Sequence, residues 1–209
     1  MEGRTDLAVA KKLFGENFIG IDELTKIASQ LGVLLPESAP VIPYTKSELE
    51  EHAADCILIL GVDKMEDSKP LTLTSLRERF GLDPAIYEPC FYNQDWYIKE
   101  SFMQTRLENK WYLIKKNVFE ESRAVTPTLL INKYNFPPAV LCAFTFFTYW
   151  FHSHKVLWKY DFIWCSDIDH NEDRIYVGKY VDIDGINKNG FSIHRHLALS
   201  STYSAISIF

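Results

Sequence analysis

Hydrophobic and polar positions alternate along this chain with two periods, and the change from one to the other divides it. Near the start, Leu7–Phe14 reads as a short helix closed by Gly15, and Asp22 is placed to cap a second helix. In that helix Leu24, Ile27, Ala28 and Leu31 recur at helical spacing and stop at Gly32. Residues 33–44 hold three prolines and predict an extended connection. Thr45 and Glu48 then match a capping box ahead of a short helix ending near Ala54. The run CILIL at Cys56–Leu60 is short, wholly apolar and followed by Gly61, the pattern of a strand buried on both faces. Thr74 is placed to open a helix through Leu76 and Phe80, closed by Gly81.

Residues 83–98 carry two prolines and a dense aromatic set, which predicts irregular structure followed by a short helix through Phe102. Trp111–Lys116 reads as a strand, and the polar break at 117–126 is where a sub-domain boundary is expected within a single domain spanning 1–209. Thr126-Pro127 opens another helix. The strongly apolar part of Pro137–His154 is about 15 residues, short of the ~20 that a membrane-spanning helix needs. Thr145, Thr148, His152, Lys155 and Lys159 predict a polar stripe along it, opposite an apolar face with Phe144 and Phe147, so it reads as the central helix of the core. Beyond it the period falls to two. Phe162–Ser166, Arg174–Val181 and Phe191–Leu197 predict an antiparallel meander, with Asp184-Gly185 and Asn189-Gly190 suited to the second turn. The fold class expected is α+β: a helical N-terminal half with one buried strand, a central apolar helix and a C-terminal antiparallel meander.

Composition narrows the function classes without selecting one. The 209 residues are 47% hydrophobic and 24% charged, which excludes wholesale disorder, and a chain of this length buries a core without staples. The formal charge is −6, which argues against a protein that coats nucleic acid or an anionic membrane. Residues 122–209 carry 8 Lys and Arg against 7 Asp and Glu, so the acidic excess lies in residues 1–121. The N-terminal residues show no apolar run that would predict a secretory leader. Cys56, Cys90, Cys142 and Cys165 are widely spaced and form no C-x-x-C pair; reduced thiols and a cytoplasmic location are the expectation. The aromatics from Tyr87 to Tyr97 are expected in the core, because a stacking platform for bases would need a positive groove.

Candidate chemistry gathers in two places. In the turn Asp167–Asp173, the residues Asp167, Asp169, Asn171 and Asp173 match the first four alternate positions of a calcium loop. Glu172 stands where that loop needs glycine, and Gly178 where it needs a bidentate glutamate, so the residues read as a hairpin turn capping its own backbone. His194 and His196 share one face of the third predicted strand and offer two of the four ligands of a tetrahedral metal site. His152 and His154, on a helix, diverge and do not chelate together. In an up-and-down meander the end of the third strand lies near the start of the second, so His196 and the acidic turn are expected as neighbours. Cys165, near Asp167 and His170, reads as an inward-packed strand residue and not a nucleophile. No nucleophile elbow, phosphate loop, dinucleotide fingerprint or zinc-protease motif is present.

Several segments taken in order, FGENFIG, VIPYTKSELE, LTLTSLRERFG, KWYLIKK, PPAVLCAF and RIYVGKYVDIDG, resemble an uncharacterised bacterial protein family to which no function is attached. That resemblance implies a cytosolic bacterial protein with these segments in one folded unit, and it transfers no catalytic residue. The leading expectation is a binding or interaction module with no catalytic residue and no cofactor, whose partner is a protein or a second copy, not nucleic acid or membrane. The competing expectation is a metal-dependent hydrolase or nuclease using Asp167, Asp169 and Asp173 with His194 and His196.

Overall fold

The computed structural model describes residues 4–180, 190–195 and 199–209, and it is an α+β protein with two mixed sheets. Helix α1 (Leu7–Phe14) leads through a 3-10 turn into strand β1 (Phe18–Ile19), followed by α2 (Ile21–Leu31) and α3 (Lys46–His52). Strand β2 (Cys56–Leu60), helix α4 (Leu73–Phe80) and strand β3 (Trp111–Lys115) complete the first half. In the first sheet β2 is central, parallel to β1 and antiparallel to β3. All five residues of β2 are buried, because both of its faces are covered. The two-residue strand β1 is too short to announce itself by alternation.

Local chemistry sets the helix ends. Thr45 accepts from Glu48 N while the Glu48 carboxylate accepts from Thr45 N, as the spacing predicts. Gly32 closes α2 at φ +67, a left-handed position that costs glycine little. Two starts differ from expectation. Helix α2 is capped at Gly20, whose N–H the buried Glu23 carboxylate accepts, not at Asp22. Helix α4 begins after Thr72, which forms a box with Ser75, and Thr74 instead donates to Met103 O. In each case a side chain three residues inside the helix completes the cap.

Helix α5 (Pro127–Leu130) is a single turn, and α6 (Ala139–Ser153) is the long central helix. It packs against α2, α4 and the second sheet. That sheet consists of β4 (Phe162–Ile168), β5 (Arg174–Tyr180), β6 (Gly190–His194) and β7 (Tyr203–Ser204), in the order β6-β5-β4-β7. The first three strands form the expected antiparallel meander, and β7 adds in parallel to β4. Residues 181–189 of the second meander turn, including Asp184-Gly185, and residues 196–198, including His196, lie outside the described residues. One face of this sheet, with Ile163, Cys165, Ile175, Val177, Phe191 and Ile193, joins the main core. The other face carries Trp164, Tyr176 and Tyr203 into a second cluster with Leu130, Tyr134 and Phe136. Segment 117–126, where a boundary is expected, runs beside β7: Phe119 N and Ala124 N donate to Ala205 O and Tyr203 O. The residues after β7 continue along β3, with Lys115 N donating to Ser207 O and Phe209 N to Leu113 O.

The polar stripe expected along α6 is corrected by the packing. Thr145 and Thr148 are fully buried, the helix ends at Ser153 with His154 left-handed, and Lys155 and Lys159 lie beyond it. Neither threonine hydroxyl has a hydrogen-bond partner. A buried hydroxyl without a partner carries its desolvation penalty uncompensated. Thr148→Val should therefore stabilise the fold by about 1 kcal/mol in chemical denaturation. A loss of that size would show that the hydroxyl is satisfied.

Candidate functional site

The turn between β4 and β5 is built by Asp169. Its Oδ1 accepts from Asn171 N at 2.8 Å and Asp173 N at 2.9 Å, while Asp169 N donates to Asp173 O. Glu172 takes a left-handed φ of +67 to let the chain reverse. The Asp169 side chain is fully buried, and its second oxygen pairs with the Arg195 guanidinium. Burial alone would push this carboxyl up; Arg195 and the two backbone N–H groups outweigh it and hold it below the usual aspartate range.

Arg195 follows β6 directly, so the meander brings the end of its third strand to the turn, as expected, and among the described residues it delivers a cation there. Arg195 also lies 3.6 Å from Glu100 Oε1 and stacks on Trp96, with its guanidinium carbon 4.4 Å from the ring centroid. Glu100 is buried, and it reaches the turn from the segment before the 3-10 turn Ser101–Gln104. It accepts from His170 N at 3.0 Å and lies 2.5 Å from His170 Nδ1. Trp96 Nε1 donates to Ile193 O at 3.1 Å, which fixes the ring that carries Arg195. Two buried carboxylates, one arginine and one exposed histidine thus tie the aromatic segment to the hairpin. Glu100, Asp169 and His170 place one ligand atom each within 4.8 Å of one another, the one such trio found among the described residues.

Of the other predicted ligands, Asp173 stays in the turn, its N–H bonded to Asp169, and Asp167 and His194 are elsewhere. Asp167 turns to the start of α6, where its Oδ2 accepts from Ala139 N at 2.6 Å. Burial exceeds that bond and raises the Asp167 pKa. His194 is half-buried beside Tyr176 and Phe162, with a ring-centroid separation of 5.6 Å from Tyr176. Its neighbour on the same face, Ser192, is fully buried and donates to Gly178 O. Gln94 Oε1 accepts from Ile193 N at 3.3 Å, which aims the Gln94 amide N–H at His194 Nδ1, 3.3 Å away. The single ring proton then sits on Nε2, which is buried without a partner. All four cysteines are buried and none is joined in a disulfide; burial raises Cys165 well above its ordinary range and pushes Cys56 up to about 12. Of the aromatic segment, Phe91 and Tyr97 are fully buried, and Tyr87 packs on Phe80 and Phe151.

Burial pushes the His194 pKa down to about 4 from 6.5. The sign is set by proton uptake: below pH 6.5 the unfolded chain binds a proton here that the folded chain does not, until about pH 4. Stability is therefore lost as pH falls through that window, by about 3 kcal/mol from this group. Asp167, with its raised pKa, contributes in the opposite sense. A urea-denaturation series from pH 7 to 4, compared with the same series for His194→Phe, isolates the histidine. The variant should show the shallower pH dependence, and parallel curves would contradict the assignment.

Sequence reasoning singled out Asp169 but missed Glu100, Arg195, Trp96 and Gln94. No protein-family model, curated protein or solved structure matches this chain. No helix among the described residues is long and apolar enough to cross a membrane.

Proposed function

We propose that this protein is a cytoplasmic binding or interaction module without catalytic activity. One observation carries the reading: the Asp169 carboxylate is engaged on both oxygens, with two backbone N–H groups on one and the Arg195 guanidinium on the other. A general base or a metal ligand needs an open lone pair directed at its proton or ion. Asp167 is likewise engaged, at the start of α6, and His194 is held by Gln94 among aromatic rings. A protein partner or a second copy of the chain fits the acidic charge better than nucleic acid does.

The competing reading, a metal-dependent hydrolase or nuclease, is favoured by the proximity of Glu100, Asp169 and His170. It requires Arg195 to yield its place to the ion. Melting curves of the purified protein with zinc, manganese and calcium decide between the two. The module reading predicts little change with any of them. A site filled at 100-fold above its dissociation constant adds about 2.7 kcal/mol, a plain shift in melting temperature. Such a shift, abolished in Asp169→Asn/His170→Ala, would put the hydrolase first.

A further inference from the structure

A cleft of about 480 Å³ opens between the α5–α6 connection and the β4–β5 hairpin, a volume suited to a small ligand. Its walls combine aromatic and aliphatic side chains (Ile131, Tyr134, Phe136) with two cations, Lys133 and Arg174. The two cations are held differently. Arg174 Nη1 donates to Cys165 O and Ser166 O, each at 3.0 Å, and its guanidinium carbon lies 5.7 Å from the Phe136 ring centroid. The plane of its fork is therefore set by two backbone carbonyls and a ring.

What it lacks is a counter-ion. Arg123 pairs with Glu120 and Asp161, and Arg195 with Asp169 and Glu100. Arg174 has no carboxylate at ion-pair distance among the described residues. Asp167, on the adjoining strand, feels the Arg174 charge, but its carboxylate is hydrogen-bonded to Ala139 N and lies beyond ion-pair distance of the guanidinium. Lys133 is exposed and shared with Glu121 at 3.2 Å, so it adds a movable charge that can turn to a ligand. A half-buried guanidinium whose Nη1 alone is bonded keeps N–H groups for a planar anion, and charge-assisted bonds to such a group are strong. Ile131 is 45% exposed at the mouth, where an apolar body can rest.

We propose that this cleft binds a small organic anion, a carboxylate or phosphate on a compact apolar body, with Arg174 gripping the charged group and Lys133 adding to the field. The inference rests on the binding-module reading and gives it a ligand class. It draws on none of the residues in the Glu100–Asp169 cluster.

The test is calorimetry and thermal melting of the full chain with benzoate, phenyl phosphate and inorganic phosphate, with benzyl alcohol as the neutral control. Binding of an aromatic anion, with the alcohol inert and affinity at least about tenfold lower in Arg174→Gln and in Lys133→Glu, is the expected result. Lys133 is exposed and pairs with Glu121, not with the hairpin, so Lys133→Glu reports even where Arg174→Gln unfolds. Binding by inorganic phosphate alone would support the anion grip and assign no role to the apolar wall. No binding of any anion, or equal binding by the alcohol and by both variants, overturns the site and leaves the module reading to its metal test. Release of phenol from phenyl phosphate, lost in Arg174→Gln, would uphold the site and overturn the non-catalytic reading.

Discussion

Phe147→Ala will destabilise the protein by about 3–5 kcal/mol in chemical denaturation, and Phe144→Ala by a smaller amount within or just below that range. Both side chains are fully buried on α6. Phe147 differs in what surrounds it. Its ring stacks on Phe80 at 3.9 Å and 8°, and it meets Phe91 at 5.2 Å and Phe191 at 6.1 Å. Those three rings come from α4, from the irregular aromatic segment and from β6. A cavity bounded by separate elements collapses poorly, because closing it requires backbones to move in different directions. The lost stacking adds about 0.5–1.5 kcal/mol beyond area alone. Losses under about 1 kcal/mol at both positions would mean that α6 is not the centre of the core.

Arg195→Ala will cost about 3 kcal/mol, because it leaves two buried carboxylates with one exposed histidine between them. The Asp169 side chain is 0% exposed and that of Glu100 is 7% exposed, so neither regains full hydration when the guanidinium is removed. The same truncation strips the cation from Trp96. Arg195→Lys should recover little, since a point charge replaces neither the fork nor the stacking plane. The loss should shrink in acid, where Asp169, ordinarily held low by Arg195, takes up a proton in the variant. An Arg195→Ala variant as stable as the parent would show that the pair is ornamental.

Much of this architecture is written in local pattern. The wholly apolar run of β2, the Thr45/Glu48 box, the glycine stops of α1, α2 and α4 and the three meander strands depend on neighbours within a few residues. The polar stripe of α6 misled because helical spacing describes one element alone. With α2, α4 and the second sheet on different sides of it, Thr145 and Thr148 have no solvent to face. Strand β1 escaped because two residues carry no period. The Glu100 cluster joins positions 70 and 26 residues apart in sequence, and nothing around Glu100 marks it for the turn. Meander topology did place the end of the third strand beside Asp169. It suggested His196, which lies outside the described residues; the described residue that reaches the turn is Arg195, directly after β6. An arginine between two histidines was the available signal: it can neutralise a buried acid at any pH.

The central claim is that the acidic turn serves the fold through Arg195 and not chemistry through an ion. A double-mutant cycle of Asp169→Asn and Arg195→Met, read as unfolding free energy in metal-free buffer, tests it most directly. A coupling of about 1.5–3 kcal/mol is the predicted result, since each partner is costly to leave buried alone. Additivity within about 0.5 kcal/mol would contradict the account and release Asp169 for another role.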